Sequence, residues 1–152
     1  MKNLKIYLFL FVFTIAGFTA AHAQRVESDS PLIGKWDLTI TMDEDQLKNL
    51  GLFRHGLMAS DGFPGWLEVK LSGLSTLVGY YVGYEGSARP IAEVLYSASE
   101  DKYHFTIPPQ WMDIDDIYFE FTLKDDKLSG YQVLDGNKLK FTGVREIGRA
   151  HV

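Results

Sequence analysis

The chain contains no cysteine, which excludes disulfide bridges and thiolate metal sites. It has no phosphate-binding glycine loop, and none of its four histidines lies beside a Ser or Cys nucleophile. Basic residues are outnumbered by acidic ones, which gives a net charge of −5 at pH 7. A surface of that sign is a poor partner for nucleic acid. These absences leave an acidic globular protein for which we expect no cofactor.

The one long apolar run lies at the amino terminus. Lys2 and Lys5 precede apolar residues that extend to Phe18, and Ala21-His22-Ala23 has the small-x-small pattern of a cleavage site. A membrane span is the alternative, but the run is short for one and no basic flank follows it. We therefore expect residues 1–23 to be a signal peptide, and the mature protein to be periplasmic or secreted with no membrane span.

Removing 23 of 152 residues leaves 129, enough for one domain with its own core. The net charge becomes −7, because Lys2 and Lys5 leave and no acid does. The last six residues, 147–152, resemble the translation of a sequencing adapter. We therefore expect 146–152 to be a non-native tail on a chain truncated near Arg145. An ordinary polar tail is the alternative.

Alternation of apolar and polar residues with period two dominates residues 34–145. Such alternation is typical of antiparallel strands with one buried and one exposed face. Polar turns, for example Asp125-Asp126, separate the segments. About eight strands are predicted, over 34–42, 65–71, 75–84, 90–97, 102–107, 117–124, 127–134 and 138–145. Eight such strands suit a closed barrel, so the predicted fold is a single all-β, antiparallel barrel over residues 24–145.

Residues 43–64 interrupt the strand pattern. Asp43-Glu44-Asp45 precedes Leu47 and Leu50 at helical spacing, which predicts a short helix with an acidic start. The loop Ser60 to Gly65 is predicted to follow it. This insertion is either a lid over one barrel mouth or a surface segment that shields core side chains.

Gly34-x-Trp36 opens the first predicted strand and Arg145 closes the last. This pairing resembles the lipocalin-like pattern in which an arginine covers a tryptophan at the barrel base. Arg145 shares its parity with Phe141 and Gly143, so it is predicted to point inward, and a guanidinium stacks well on an indole. Trp36 and Arg145 are therefore assigned a structural role.

A second resemblance spans nearly the whole chain after the leader. Several dispersed runs occur in the same order as in the amino-terminal region of secreted bacterial proteins that carry a 3-keto-disaccharide hydrolase domain: PLIGKWDLTI, GWLEVKLSG, TLVGYYVG, GSARPI, HFTIPPQW, KLSG and KLKFTGVR. In that family the catalytic domain follows this region, and nothing in the chain matches it. The resemblance implies a non-catalytic accessory barrel of a longer glycan-processing hydrolase. Its partners would be that missing catalytic domain and a small carbohydrate.

Sugar sites combine aromatic platforms with charged or amide groups, and small-ligand sites hold a few polar groups in apolar surroundings. The candidate ligand-binding residues are Trp66, Tyr80, Tyr81, Arg89, Glu93, Gln110 and Trp111. Each has an ordinary alternative, since the aromatics could be core residues and Arg89 could pair with Glu93 or Glu85. Arg89 is predicted to lie in a flexible turn facing a mouth, and Pro108 to Trp111 to form a stiff loop.

Catalytic interpretations are weaker. His55 and His104 lack a nucleophile nearby, and Asp113 to Asp116 lacks the glycine turn of a calcium loop. Paired carboxylates for glycoside hydrolysis would have to come from Glu68, Glu93 and Glu120. A glycoside hydrolase and a free-standing small-ligand binder therefore remain the alternatives to the accessory barrel, with no catalytic residue or metal ligand assigned.

Overall fold

The computed structural model describes residues 29–51, 62–83, 86–108 and 115–146. These residues form a closed barrel of eight antiparallel strands in which each strand pairs with the next and β8 pairs with β1. One short helix follows the first strand. The fold predicted from the alternation is therefore confirmed. The predicted leader and residues 147–152 lie outside the described ranges. No helix within those ranges has the length and apolarity needed to cross a bilayer.

The elements run in the order β1, α1, then β2 to β8. Their bounds are β1 Gly34–Thr41, α1 Glu44–Asn49, β2 Phe63–Ser72, β3 Thr76–Val82, β4 Ala88–Ser97, β5 Lys102–Ile107, β6 Ile117–Lys124, β7 Lys127–Leu134 and β8 Asn137–Arg145. Three of the predicted strands, β5 to β7, have the predicted limits. The other five differ from their predicted limits by one to two residues at one or both ends.

Three strands begin earlier than predicted, β2 and β4 by two residues and β8 by one. β2 begins at Phe63, which pairs with Ile40, because Pro64 is tolerated near the start of a strand. β4 begins at Ala88 and includes Arg89, so the prediction that Arg89 lies in a flexible turn is wrong. The residue before a proline favours extended backbone, and Pro90 therefore extends the strand backward.

Two hairpin turns have a backbone conformation that matches the twist of the strands they join. Asp125 and Asp126 have φ of 51° and 55°, and Asp135 and Gly136 have φ of 46° and 72°. Positive φ at both central residues is typical of the type I′ turn, which Asp and Gly tolerate well. These turns fix the register of β6 to β8.

The helix α1 confirms the acidic start predicted for the insertion. Asp43 accepts a hydrogen bond from the Gln46 backbone N at 2.8 Å, and Gln46 Oε1 accepts one from the Asp43 backbone N at 3.0 Å. This reciprocal capping box satisfies amide groups that a helix start leaves unpaired. Leu47 is buried in the core. The helix therefore contributes a side chain to the core; residues 52–61 of the insertion lie outside the described ranges.

Aromatic rings fill the middle of the barrel. Phe105 stacks on Phe119 with centroids 4.5 Å apart, and Phe141 meets both Phe119 at 6.2 Å and Phe121 at 5.9 Å. Tyr103 stacks on Phe121 at 5.7 Å. These residues come from β5, β6 and β8, and each ring pair adds about 0.5–1.5 kcal/mol to its burial energy. The central interior is packed with side chains.

The two ends of the barrel differ. At one, here named the latch end, lie Gly34, Arg145 and the turn Asp125-Asp126. At the other, here named the helix end, lie α1, the β7–β8 turn and the first residues of β4 and β6. The chain on either side of residues 84–85 and 109–114 belongs to the helix end. The predicted ligand loops therefore join strands at one and the same end.

Candidate functional site

Arg145 covers Trp36 at the latch end. Its guanidinium carbon lies 4.3 Å from the centroid of the indole, which is fully buried. Trp36 Nε1 donates a hydrogen bond to the Leu32 carbonyl at 3.0 Å. The stacking expected from the sequence is therefore present.

The same arginine holds the segment that precedes β1. Nη1 donates to the Ile33 carbonyl at 2.9 Å and Nη2 to the Pro31 carbonyl at 2.6 Å. Nη2 also pairs with Asp126 at 3.1 Å. The Arg145 guanidinium is therefore hydrogen-bonded to groups of the chain itself. We assign it the role of stabilising the latch end of the barrel, not that of binding a ligand.

A polar pair lies inside the barrel, near the helix end. The Tyr81 hydroxyl donates a hydrogen bond to Gln132 Oε1 at 3.1 Å, and the two residues are 5 % and 4 % exposed. Tyr81 also packs edge-on against Phe119, with centroids 4.8 Å apart. Tyr81 is on β3 and Gln132 on β7, which lie opposite each other in a ring of eight strands. The bond therefore crosses the interior.

Gly83 leaves space for this tyrosine. A Cβ at Gly83 would lie 3.0 Å from the Tyr81 hydroxyl oxygen and 3.2–3.4 Å from its ring carbons. Since Gly83 follows the last residue of β3, the hydroxyl is directed toward the helix end. The glycine fixes the direction in which Tyr81 reaches the interior.

Arg89 lies beside Tyr81 on the inner face. The β3–β4 register sets the two residues opposite each other, and Gly79 opposite Ile91. Paired residues of antiparallel strands point to the same face, so Arg89 faces inward with Tyr81. Ile91 is 2 % exposed, whereas Arg89 is half-buried because it is closer to the helix end. The structure thus brings together two of the predicted ligand residues.

The other described candidates lie outside the barrel. Tyr80 is 46 % exposed on the outer face and Glu93 is exposed to solvent. Trp66 is half-buried on the outer face, where its Nε1 donates to Glu146 Oε2 at 3.3 Å and Lys35 Nζ lies 5.8 Å from the ring centroid. None of these three joins the inner pair. Gln110 and Trp111 lie outside the described residues, as do Glu85 and His55.

Gln132 was not singled out in the sequence, although a signal was present. It shares the inward parity of β7 with Leu128 and Gly130. A polar amide at a core position of an apolar strand is expected to have a buried partner. The partner could not be identified, because Tyr81 is 51 residues away and on the opposite side of the barrel.

A separate polar cluster, the outer-wall cluster, comprises Lys102, Tyr118, Glu120 and Tyr131. Lys102 Nζ lies 2.8 Å from Glu120 Oε1, and the Tyr118 hydroxyl donates to Glu120 Oε2 at 3.0 Å. The hydrogen bond from Lys102 lowers the pKa of Glu120 and raises that of the lysine. Burial, helped by the hydrogen bond to Glu120, raises the pKa of Tyr118 to about 12. Lys138 covers Tyr131 at 3.6 Å from its centroid.

Two of the three carboxylates proposed for glycoside hydrolysis, Glu68 and Glu120, are not brought together. Glu68 is on β2 and Glu120 on β6, again opposite each other in the ring, and both face outward. Each also has its own lysine, Lys70 at 3.0 Å and Lys102 at 2.8 Å. Hydrolysis needs two carboxyl groups within about 5–10 Å. The Glu68–Glu120 pair cannot meet that need.

Within the described ranges, no group of three or more His, Asp or Glu side chains is placed to hold a metal ion.

No family model and no curated protein matches the chain. Two solved structures with related barrels are the apo form of Caenorhabditis elegans lipid binding protein 8 and the REP1-NXSQ fatty acid transporter. The first is 19 % identical with a TM-score of 0.49, over 79 % of this chain and 99 % of that protein. The second is 15 % identical with a TM-score of 0.45, over 75 % and 95 %. At this level of similarity neither assigns a ligand to this chain.

Proposed function

We propose that this chain is an exported, non-catalytic barrel domain that binds a small carbohydrate at its helix end and serves a longer glycan-processing protein. The observation that carries the proposal is the Tyr81–Gln132 pair inside the barrel. A buried neutral hydrogen bond adds only about 1 kcal/mol of net stability, and apolar side chains of similar shape would serve the fold as well. Ligand sites, by contrast, are apolar with a few fixed polar groups.

The packed interior sets the depth of the site. Phe121 and Phe141 lie on the latch side of Gln132, and Phe119 lies directly opposite Gln132 on the neighbouring strand. In this proposal the ligand rests on the helix-end side of the pair, next to the Tyr81 hydroxyl that is bonded to Gln132. Tyrosine is suited to this because one end is apolar and the other forms hydrogen bonds.

The glycan context rests on the seven sequence runs shared with proteins that carry a 3-keto-disaccharide hydrolase domain. In this proposal that separate domain performs the hydrolysis, and the barrel holds the saccharide or delivers it. The separation of Glu68 from Glu120 supports a binding role for the barrel over a hydrolytic one. Export follows from the predicted signal peptide.

Isothermal titration of the full chain against neutral disaccharides, their 3-keto forms and the matching uronates tests the proposal. We expect saturable binding of at least one compound, weakened at least fivefold in Tyr81→Phe. Tyr80→Phe is the matched control, because the adjacent tyrosine faces solvent on the outer wall, and it should leave affinity unchanged. A flat response across the panel would overturn the proposal. So would hydrolysis of any compound by the chain alone, or equal effects of the two substitutions.

A further inference from the structure

Arg89 is an inward-facing cation for which the described part of the chain supplies no counter-ion. The ion pairs within the described residues involve Lys70, Lys102 and Arg145, and Arg89 makes neither an ion pair nor a hydrogen bond there. The pairing with Glu93 that the sequence allowed is not formed. Because Arg89 is half-buried beside Tyr81, its charge is partly withdrawn from water. Such a charge is unfavourable unless a partner compensates it.

The described residues around Arg89 include no buried acid. The buried residues of the described chain include only two with polar side chains, Ser30 and Gln132, and no aspartate or glutamate. The residues nearest Arg89 on the inner face are Tyr81, across the strand pair, and Ile91, two positions along β4. None of the described aspartates and glutamates is therefore buried in the interior, and Arg89 gives the described inner face near the helix end a positive charge.

Two side chains on this inner face, Arg89 and Gln132, have hydrogen-bond donors that no described residue accepts. Gln132 Oε1 already accepts from Tyr81, and no bond is formed by the Gln132 amide nitrogen within the described residues. The guanidinium of Arg89 has donors only. A matching ligand group must therefore accept hydrogen bonds and carry negative charge. A carboxylate does both, and its two oxygens fit the planar fork of arginine.

We propose that Arg89, with the amide of Gln132, forms a carboxylate-recognition site on the inner face of the helix end. This inference rests on the proposed function and names its ligand class: an acidic saccharide such as a uronate, in place of a neutral one. A carboxylate on a short acyl chain carries the same chemistry, so the two sources have to be separated by experiment.

The experiment compares matched probes by isothermal titration of the full chain. Methyl β-glucuronide and methyl β-glucoside differ only in the carboxylate at C6, and hexanoate and 1-hexanol differ likewise without a sugar. We expect the glucuronide to bind at least tenfold more tightly than the glucoside and than hexanoate. Arg89→Gln should lower glucuronide affinity at least tenfold and change glucoside affinity less than twofold. Arg89→Lys should recover only part of the loss, since an ammonium lacks the fork.

Lys140→Gln is the matched control, because it removes the same charge from an exposed position on β8; it should leave affinity unchanged. Thermal unfolding of each variant verifies the fold. Equal binding of glucuronide and glucoside, or an unaltered affinity in Arg89→Gln, would overturn the carboxylate site while leaving the proposed function intact. Binding of hexanoate but neither sugar would keep the carboxylate site and reject the saccharide. Absence of binding by every probe, together with a flat disaccharide panel, would reject both.

Discussion

Tyr81 and Gln132 are joined by a hydrogen bond of 3.1 Å that spans the barrel from β3 to the opposite strand β7. Neighbouring strands are held by the backbone ladder, but this bond connects strands that share no ladder. It lies at the boundary between the packed aromatic interior and the helix end. The pair therefore links two opposite walls of the barrel where we propose that the ligand rests.

The pair should show strong coupling in a double-mutant cycle. Tyr81→Phe leaves the buried Gln132 oxygen without its donor, and Gln132→Leu leaves the tyrosine hydroxyl without its acceptor. We expect each single substitution to lower the free energy of unfolding by about 1–3 kcal/mol, because an unsatisfied buried group costs that much. The double variant should lose less than the sum, by about 1 kcal/mol or more, in urea unfolding followed by tryptophan fluorescence. Strict additivity would contradict the bond.

Arg145 should tolerate lysine poorly. The substitution keeps the charge but loses the planar stacking on Trp36 and at least one of the bonds to the Pro31 and Ile33 carbonyls. We expect Arg145→Lys to destabilise the barrel by about 1–3 kcal/mol in urea unfolding. Lys140→Arg, at an exposed position of β8 three residues before Gly143, should have no measurable effect. If Arg145→Lys lowers the free energy of unfolding by less than about 0.5 kcal/mol, the guanidinium does not stabilise the latch end.

Gly34 should not accept a side chain. Its φ is +142°, and a Cβ there would lie 2.6 Å from Arg145 Nη1. We expect Gly34→Ala to cost about 2 kcal/mol from backbone strain and to displace Arg145 from Trp36. Gly73→Ala is the comparison, because Gly73 also has positive φ but nothing within 4 Å of the added carbon. If the two variants are equally destabilised, backbone conformation alone explains the effect and Arg145 plays no part.

The outer-wall cluster should make stability depend on pH. The folded-state pKa of Glu120 lies below its unfolded value, so its contribution is full above the unfolded pKa of about 4.3 and is lost as pH falls through the folded pKa. We expect Glu120→Gln to lose about 1 kcal/mol at pH 7 and to approach the parent stability near pH 3. Glu93→Gln, which removes an exposed carboxylate without an ion pair among the described residues, should track the parent throughout. A Glu120→Gln deficit that persists at pH 3 would contradict the assignment.

Much of the fold was predictable because period-two alternation is a local property. Segments such as 117–124 carry it without interruption, and their strand limits were predicted correctly. The limits were missed where proline stands near a strand start, at Pro64 and Pro90, because the same residue also marks turns. The composition of the segment around Arg89 does not show how β3 and β4 pair. It is this pairing register that makes Arg89 face inward.

The candidate site was less predictable, because its residues meet only through barrel closure. Tyr81 and Arg89 were identified as candidates, but so were Tyr80 and Glu93, which the structure sets outside. Adjacent tyrosines in a strand face opposite ways, and the aromatic sequence Tyr80-Tyr81 does not show which one is buried. Gln132 became significant only when β7 was found opposite β3.

The latch also determines how the barrel can be joined to anything else. Residues 31–33 are bonded to Arg145, and the Glu146 backbone N donates to the Lys35 carbonyl at 2.9 Å. The polypeptide therefore enters and leaves the barrel at the same pole. A domain or tether attached to either side by a short linker would lie next to the latch end. The helix end, with Arg89 and Tyr81, would point away from it. Immobilisation through a terminus should consequently preserve access to the proposed site.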